Sequence, residues 1–302
     1  MDPFSQRLPT RFAKLLVAIV FYAVTKLSRA AKTMLGGRPQ PICIGVFYHQ
    51  VHPQHRERFA RQMDHLLRWS NPVRADQDRL PEGASRCAFV AVDDGWLSFV
   101  ENGLPEMKQR GIPVAIFVVA GRLGESLGEP NDRLITEAEL RDLNCELVTI
   151  GSHTTTHARL TSLTENEVMS ELRESRTTLE RILRRDVRLF CFPFGAYRDG
   201  HLQQCYAAGY ARVFTSTPVL ESSWPSRFVV GRIRADPTDW LIEFRLKLCG
   251  AYQWMAIVMA LKARFQPRLT PAPPVARNSR QISSSSVDAI GISAGDLGRH
   301  LK

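Results

Sequence analysis

The sequence predicts an α/β domain built on a mostly parallel sheet. Three observations point this way. Short apolar runs rich in Val, Ile and Phe alternate with amphipathic stretches through the middle of the chain. The runs are joined by helix-length segments rather than by two-residue hairpin signals. Four clusters of chemically capable residues fall at the ends of the runs, where α/β folds collect their chemistry.

Residues 1–40 form a basic segment around one apolar stretch, Leu15 to Val24. Arg7, Arg11 and Lys14 precede it, and Lys26, Arg29 and Lys32 follow. Such a stretch is short of the roughly 20 residues that a membrane span needs. It reads as an interfacial or short signal-anchor helix touching a membrane through residues 12–27, which places the protein at a membrane or in the cell envelope. A cleaved signal and a helix packed on the domain are its rivals. Gly36-Gly37-Arg38-Pro39 then breaks the chain.

Ile42–Tyr48 is a buried strand, and Phe59–Trp69 a helix with Met63, Leu66 and Leu67 on one face. Cys87–Val92 is a strand that stops at Asp93-Asp94-Gly95; Leu97–Arg110 is a helix closed by Gly111. Val114–Ala120 is the next strand. Ile135–Asn144 is a short helix, with Thr136 and Glu139 spaced as a capping box. Leu147–Ile150 is a strand, and Thr164–Arg184 a long helix opened by Thr164 and Glu167. Val187–Phe192, helix Leu202–Ala208 and strand Ala211–Thr215 complete the rhythm. The domain spans 41–262, with a divergent part at 219–262, and 263–302 is a Pro/Ser-rich tail expected to be disordered.

The net charge is +10, but it is unevenly spread. Residues 1–40 hold seven Lys/Arg against one acid, and residues 262–302 hold seven against two. The 221 residues between them therefore carry −1. A neutral domain between basic ends argues against a nucleic-acid-binding face. The six cysteines are widely spaced and form no CxxC pair, which excludes a zinc ribbon. They read as buried thiols, with room for one or two disulfides in an oxidising compartment.

Four clusters carry chemistry. Asp93-Asp94 places two carboxylates after an apolar strand, one suited to a metal and one to act as a base; a solvated Asp-Asp-Gly turn is the plain alternative. His153 and His157 stand four apart, so on a helical turn both imidazoles would face one ion. Arg188 on a strand could orient a carboxylate, and Pro193-Phe194-Gly195 could aim a backbone N–H at an oxyanion. His49 ends the first strand and titrates near neutrality, as a general acid must.

In this order and spacing, Asp93-Asp94-Gly95, His153-x-x-x-His157 and Arg188-x-x-x-x-Pro193-Phe194-Gly195 resemble the motifs of the polysaccharide deacetylases, carbohydrate esterase family 4 with its NodB-homology domain. The resemblance covers about residues 42 to 218, and Tyr48-His49-Gln50-Val51 resembles the opening motif of the branch with poly-N-acetylglucosamine deacetylases. It implies a distorted (β/α) barrel of about seven strands and a metal-dependent hydrolase that removes N-acetyl groups from a poly-N-acetylglucosamine-like polymer or other cell-surface glycan. In that reading Asp93 is the base, and Asp94, His153 and His157 hold the metal, most often Zn²⁺. Arg188 orients Asp93, the Phe194 N–H faces the oxyanion, and His49 is the acid. Deacetylation or deformylation of a lipid- or nucleotide-linked sugar is an alternative, as is a non-catalytic glycan-binding role. Asp236-x-x-Asp239-Trp240 resembles the family's Asp-Trp motif but lies further downstream.

Overall fold

The structure, a computed structural model, describes residues 8–36, 41–143, 146–219 and 228–265. Helix α1 (Leu8–Met34) is followed by β1 (Ile42–Tyr48), α2 (Arg56–Trp69), β2 (Asn71–Pro72), β3 (Arg86–Val92), α3 (Leu104–Gln109), β4 (Val114–Val118) and α4 (Glu137–Asp142). Then come β5 (Val148–Ser152), α5 (Glu165–Leu183), β6 (Leu189–Cys191), α6 (Asp199–Ala207), β7 (Arg212–Phe214), β8 (Val229–Val230), β9 (Arg232–Arg234), α7 (Leu241–Leu248) and α8 (Trp254–Phe265). The strands pair in parallel in the order β8-β7-β6-β5-β4-β3-β1-β9, with β2 added on β3.

The two ends of this order are neighbours in the chain, because only Gly231 separates β8 from β9. The sheet is therefore curled until its edges share one bend, a barrel-like form with no ladder between β8 and β9. The bend is tight. A Cβ on Gly231 would lie 2.4 Å from the Thr217 carbonyl oxygen.

Two apolar layers follow from the alternation of side chains along each strand. The inner layer holds Phe47, Phe89, Phe117, Leu189, Cys191 and Phe214. Strand glycines make room for its rings: a Cβ at Gly45 would meet Phe89 at 2.2 Å, and one at Gly151 would meet Phe117 at 2.6 Å. The outer layer packs the other strand faces, among them Val90, Ile116, Ile150 and Phe190, with residues of α2, α5 and α7.

The helices begin where the capping residues place them. Thr136 accepts from the Glu139 N–H while Glu139 returns a bond to the Thr136 N–H, and Thr164 and Glu167 repeat the pattern. Helix Leu97–Arg110 is less regular than its periodicity suggests. It starts with a π turn at Phe99–Gly103, where a Cβ on Gly103 would meet the Phe99 ring at 2.6 Å. Helix α1 runs for 27 residues, well beyond the apolar Leu15–Val24, because the Lys, Arg and Ala on its flanks are good helix formers. Among the described residues it is the one helix long and apolar enough to cross a membrane.

The first compact unit reaches Met255, and a second begins at Ala256. The described part of the second unit continues α8, with Ile257, Met259 and Leu261 exposed. The expected disorder of the tail concerns residues almost all outside the described ones. No disulfide joins Cys43, Cys87, Cys191, Cys205 or Cys249, and all five are buried; Cys145 lies outside the described residues.

Candidate active site

The site lies at the C-terminal ends of β1, β3, β5 and β6. Asp93 follows β3, and its N–H donates to the Tyr48 carbonyl at 2.9 Å, which ties it to the end of β1. Asp94 then turns into the left-handed region at φ 70°. This reversal sends the two neighbouring carboxylates to different partners.

The Asp93 carboxylate faces the barrel interior and is gripped by Arg232, with Nη1 to Oδ1 at 2.7 Å and Nη2 to Oδ2 at 3.0 Å. Both side chains are buried. The guanidinium lies 4.4 Å from the Phe47 ring centroid and 5.2 Å from that of Phe117, so the inner aromatics form its floor. Cys191 Sγ is 2.8 Å from Nη2 and 3.8 Å from Asp93 Oδ2. Burial opposes ionisation of Asp93, but the Arg232 charge outweighs it and holds the carboxyl below its ordinary range. Burial pushes the Cys191 thiol up, so it stays protonated.

The Asp94 carboxylate divides its work. Oδ2 accepts from the Trp96 indole at 2.9 Å. Oδ1 lies 3.3 Å from Nε2 of His153 and 3.3 Å from Nε2 of His157. Burial opposes its ionisation too, yet the two imidazoles hold Asp94 well below the usual carboxylate range. His153 Nδ1 is 2.8 Å from the Cys191 carbonyl oxygen. A carbonyl only accepts, so Nδ1 carries a proton and Nε2 is the nitrogen turned toward Asp94.

This set fits a divalent cation. Asp94 Oδ1 is buried and has no hydrogen-bond partner, although two imidazole nitrogens face it. Two donors at about 2.0–2.1 Å from a tetrahedral ion stand roughly 3.3–3.4 Å apart. The 3.3 Å separations of Asp94 from each histidine match that spacing.

The histidines do not converge through a helical turn. Residues 153–157 are a loop in which Thr154 (φ 69°) and His157 (φ 64°) are left-handed. The His157 N–H donates to Thr154 Oγ1, and Glu171 of α5 accepts from the N–H groups of Thr155 and Thr156 at 2.8 and 2.9 Å. Opposite them, Pro193-Phe194-Gly195 forms a short turn with Phe194 at φ 60°. Phe194 is 57% exposed; its ring lies 4.7 Å from that of His157, and the Arg159 guanidinium sits 4.7 Å over it. Among the described residues, four of the six non-glycine residues with positive φ are thus at this site.

His49 is half-buried beside the same carboxylates, and its Nδ1 is buried with no hydrogen-bond partner. Burial lowers its pKa, while Asp94 and Asp93 pull it back up.

Arg188 is a correction. It is exposed, and the carboxylate expected to receive it belongs to Arg232. The cause is strand parity. Leu189 and Cys191 face the inner layer and Phe190 the outer one, so Arg188, two before Phe190, points out of the barrel. Sequence reading missed Arg232 because it lies in the divergent segment. The signal was an arginine inside the apolar run Val229-Val230-Gly231-Arg232-Ile233.

Residues 81–213 match the family model for polysaccharide deacetylases. That stretch, under half of the chain, is similar to a polysaccharide deacetylase domain. YxkH of Bacillus subtilis (strain 168), a protein named for the same family, is 25% identical over 161 residues. The match covers 53% of this chain and 55% of that relative, so the chain spans about half of its length. IcaB from Ammonifex degensii shares the fold, with a TM-score of 0.59 at 22% identity over 70% of this chain and 97% of that one. So does the Streptococcus pyogenes deacetylase PplD, solved in complex with acetate, with a TM-score of 0.59 at 16% identity over 69% and 99%.

Proposed function

We propose that this deacetylase domain hydrolyses the acetamido group of an N-acetylated sugar, giving acetate and a free amine on the glycan. One observation carries the reading: adjacent carboxylates with opposite assignments, Asp93 clamped by a buried arginine and Asp94 shared by two histidines. Asp94, His153 and His157 would hold the ion, and the spacing and N/O donors favour Zn²⁺. Bound there, a divalent cation polarises the amide carbonyl and lowers the pKa of water.

The chain's own residues do the proton work. Asp93, kept ionised by Arg232, takes the proton of the attacking water. His49, in its protonated form, gives a proton to the departing nitrogen. The Phe194 N–H faces the developing oxyanion from the Pro193–Gly195 turn. The exposed Phe194 ring suits the apolar face of a sugar ring at the rim. A poly-N-acetylglucosamine-like polymer is the preferred substrate class.

The test is acetate release from N-acetylglucosamine oligomers by zinc-loaded protein. Asp93→Asn should keep one equivalent of metal and lose at least a thousandfold in kcat; His153→Ala should lose the metal itself. Fully metallated wild type that releases no acetate from any acetylated glycan would overturn the reading.

A further inference from the structure

Helix α1 has two faces of different character. On the inner face, Arg11 reaches Glu243 of α7 with Nη2 at 2.7 Å and donates to the Thr238 carbonyl at 2.9 Å. Its guanidinium lies 4.3 Å over the Trp240 ring. Ala18 is fully buried, and Leu15 and Tyr22 pack on the core. Positions 11, 15, 18 and 22 follow the spacing of a seam laid along one side of a helix. The outer face is apolar and open: Leu8, Leu16, Val20, Val24 and Leu27 are all exposed. Leu8–Met34 contains five Lys/Arg and no acid, and Lys26, Arg29 and Lys32 are exposed.

A scattered exposed leucine needs no explanation, but a continuous stripe along a helix does. Water does not favour it, and the helix carries only positive charge beside it. Apolar stripe and cations together match the headgroup–acyl boundary of an anionic bilayer. A helix crossing the bilayer would have to withdraw Leu15, Ala18 and Tyr22 from the core and Arg11 from the buried Glu243. The docked inner face therefore selects between the two ways of meeting a membrane.

We infer that α1 is an in-plane membrane foot: its outer stripe lies in the interface of an anionic bilayer while its inner face stays on the catalytic domain. Arg11 fixes the start of the foot to Thr238–Trp240, a segment that begins four residues after the end of β9, the strand that carries Arg232. The foot is thus tied to the catalytic end of the barrel, and the inference is independent of which sugar the site takes.

The experiment uses the full chain with vesicles of phosphatidylglycerol and phosphatidylcholine, and with phosphatidylcholine alone. The expected result is co-sedimentation at least tenfold stronger with the anionic vesicles, weakened by salt. Leu16→Asp with Val20→Asp should lower it at least tenfold. Lys26→Glu with Arg29→Glu should remove most of the anionic preference. These positions are exposed, so near-UV circular dichroism and acetate release from soluble oligomers should stay within twofold of wild type. Bound protein should leave the vesicles in alkaline carbonate. Three results would each overturn the inference: no binding to anionic vesicles, a carbonate-resistant pellet as for a spanning helix, or a dimer in sedimentation velocity that the Leu16/Val20 variant dissociates.

Discussion

Replacing Arg232 with Met is the sharpest perturbation of this site. The arginine makes two bonds of 2.7 and 3.0 Å to Asp93, and the pair is buried. Removing one partner of such a pair leaves an uncompensated charge and costs about 3–5 kcal/mol. At 1.36 kcal/mol per pKa unit, even about 3 kcal/mol would raise the Asp93 pKa by about two units. Asp93 is now held below its ordinary range, so wild-type activity should persist well into acid. In Arg232→Met the acid limb of kcat/KM should move up by about two units, so the loss grows as pH falls and approaches roughly a hundredfold only below both pKa values. The assay is acetate release across pH with metal content measured at each point. Stability provides a second readout: Asp93→Asn should recover part of the loss in Arg232→Met, because the orphaned charge is gone. Arg188→Ala is the control and should stay within about threefold of wild type, since Arg188 points to solvent. An unmoved acid limb in Arg232→Met, or an equal loss in Arg188→Ala, would refute the assignment.

Two further outcomes follow from local geometry. Gly195 sits at φ +64°, and a Cβ there would lie 1.8 Å from Ser216 Oγ, so Gly195→Ala should cost about 1–3 kcal/mol and displace the Phe194 turn. Thermal unfolding and kcat should both fall, the latter at least tenfold; wild-type values for both would contradict the strain argument. Glu139 bonds Arg133 and the Thr136 cap, which lower its pKa from 4.5 to about 2. A depressed carboxylate contributes above its unfolded pKa and loses that contribution as pH falls toward its folded one. Because the group is about one-third exposed, Glu139→Gln should cost only about 1 kcal/mol at pH 7. The gap to wild type should shrink below pH 4 in urea titrations, and a gap independent of pH would rule the charge out as its cause.

Much of this molecule was legible in its residues, and the gaps have physical reasons. Apolar runs place β1, β3, β4, β5, β6 and β7, since a strand buried on both faces leaves a continuous hydrophobic signature. Capping boxes place the starts of α4 and α5 almost to the residue. Strands β8 and β9 left no such mark, because they are two and three residues long and one carries two arginines. The residues of the site were readable as types, but their geometry was not. His153 and His157 meet through two left-handed residues rather than through helical spacing, and no periodicity reports a positive φ. Arg188 was misread because a motif gives order along the chain, whereas strand parity decides which side of the sheet a residue occupies.

The position of Arg232 also joins two events that could have been separate. It is the first residue of β9, directly after the Gly231 bend that takes the chain from one edge of the sheet to the other. Its register partner on β1 is Gly45, and β1 lies next to β3, which Asp93 directly follows. Asp93 therefore acquires its counter-charge only when β9 docks on β1. Before that step Asp93 would be a buried carboxyl without its arginine, and burial alone would drive it toward the neutral form. The strand that curls the sheet into a barrel is the strand that keeps Asp93 ionised. Glycine at 231 serves both, because the bend brings the guanidinium over Phe47 and Phe117 while the carbonyl of Thr217 leaves no space for a side chain.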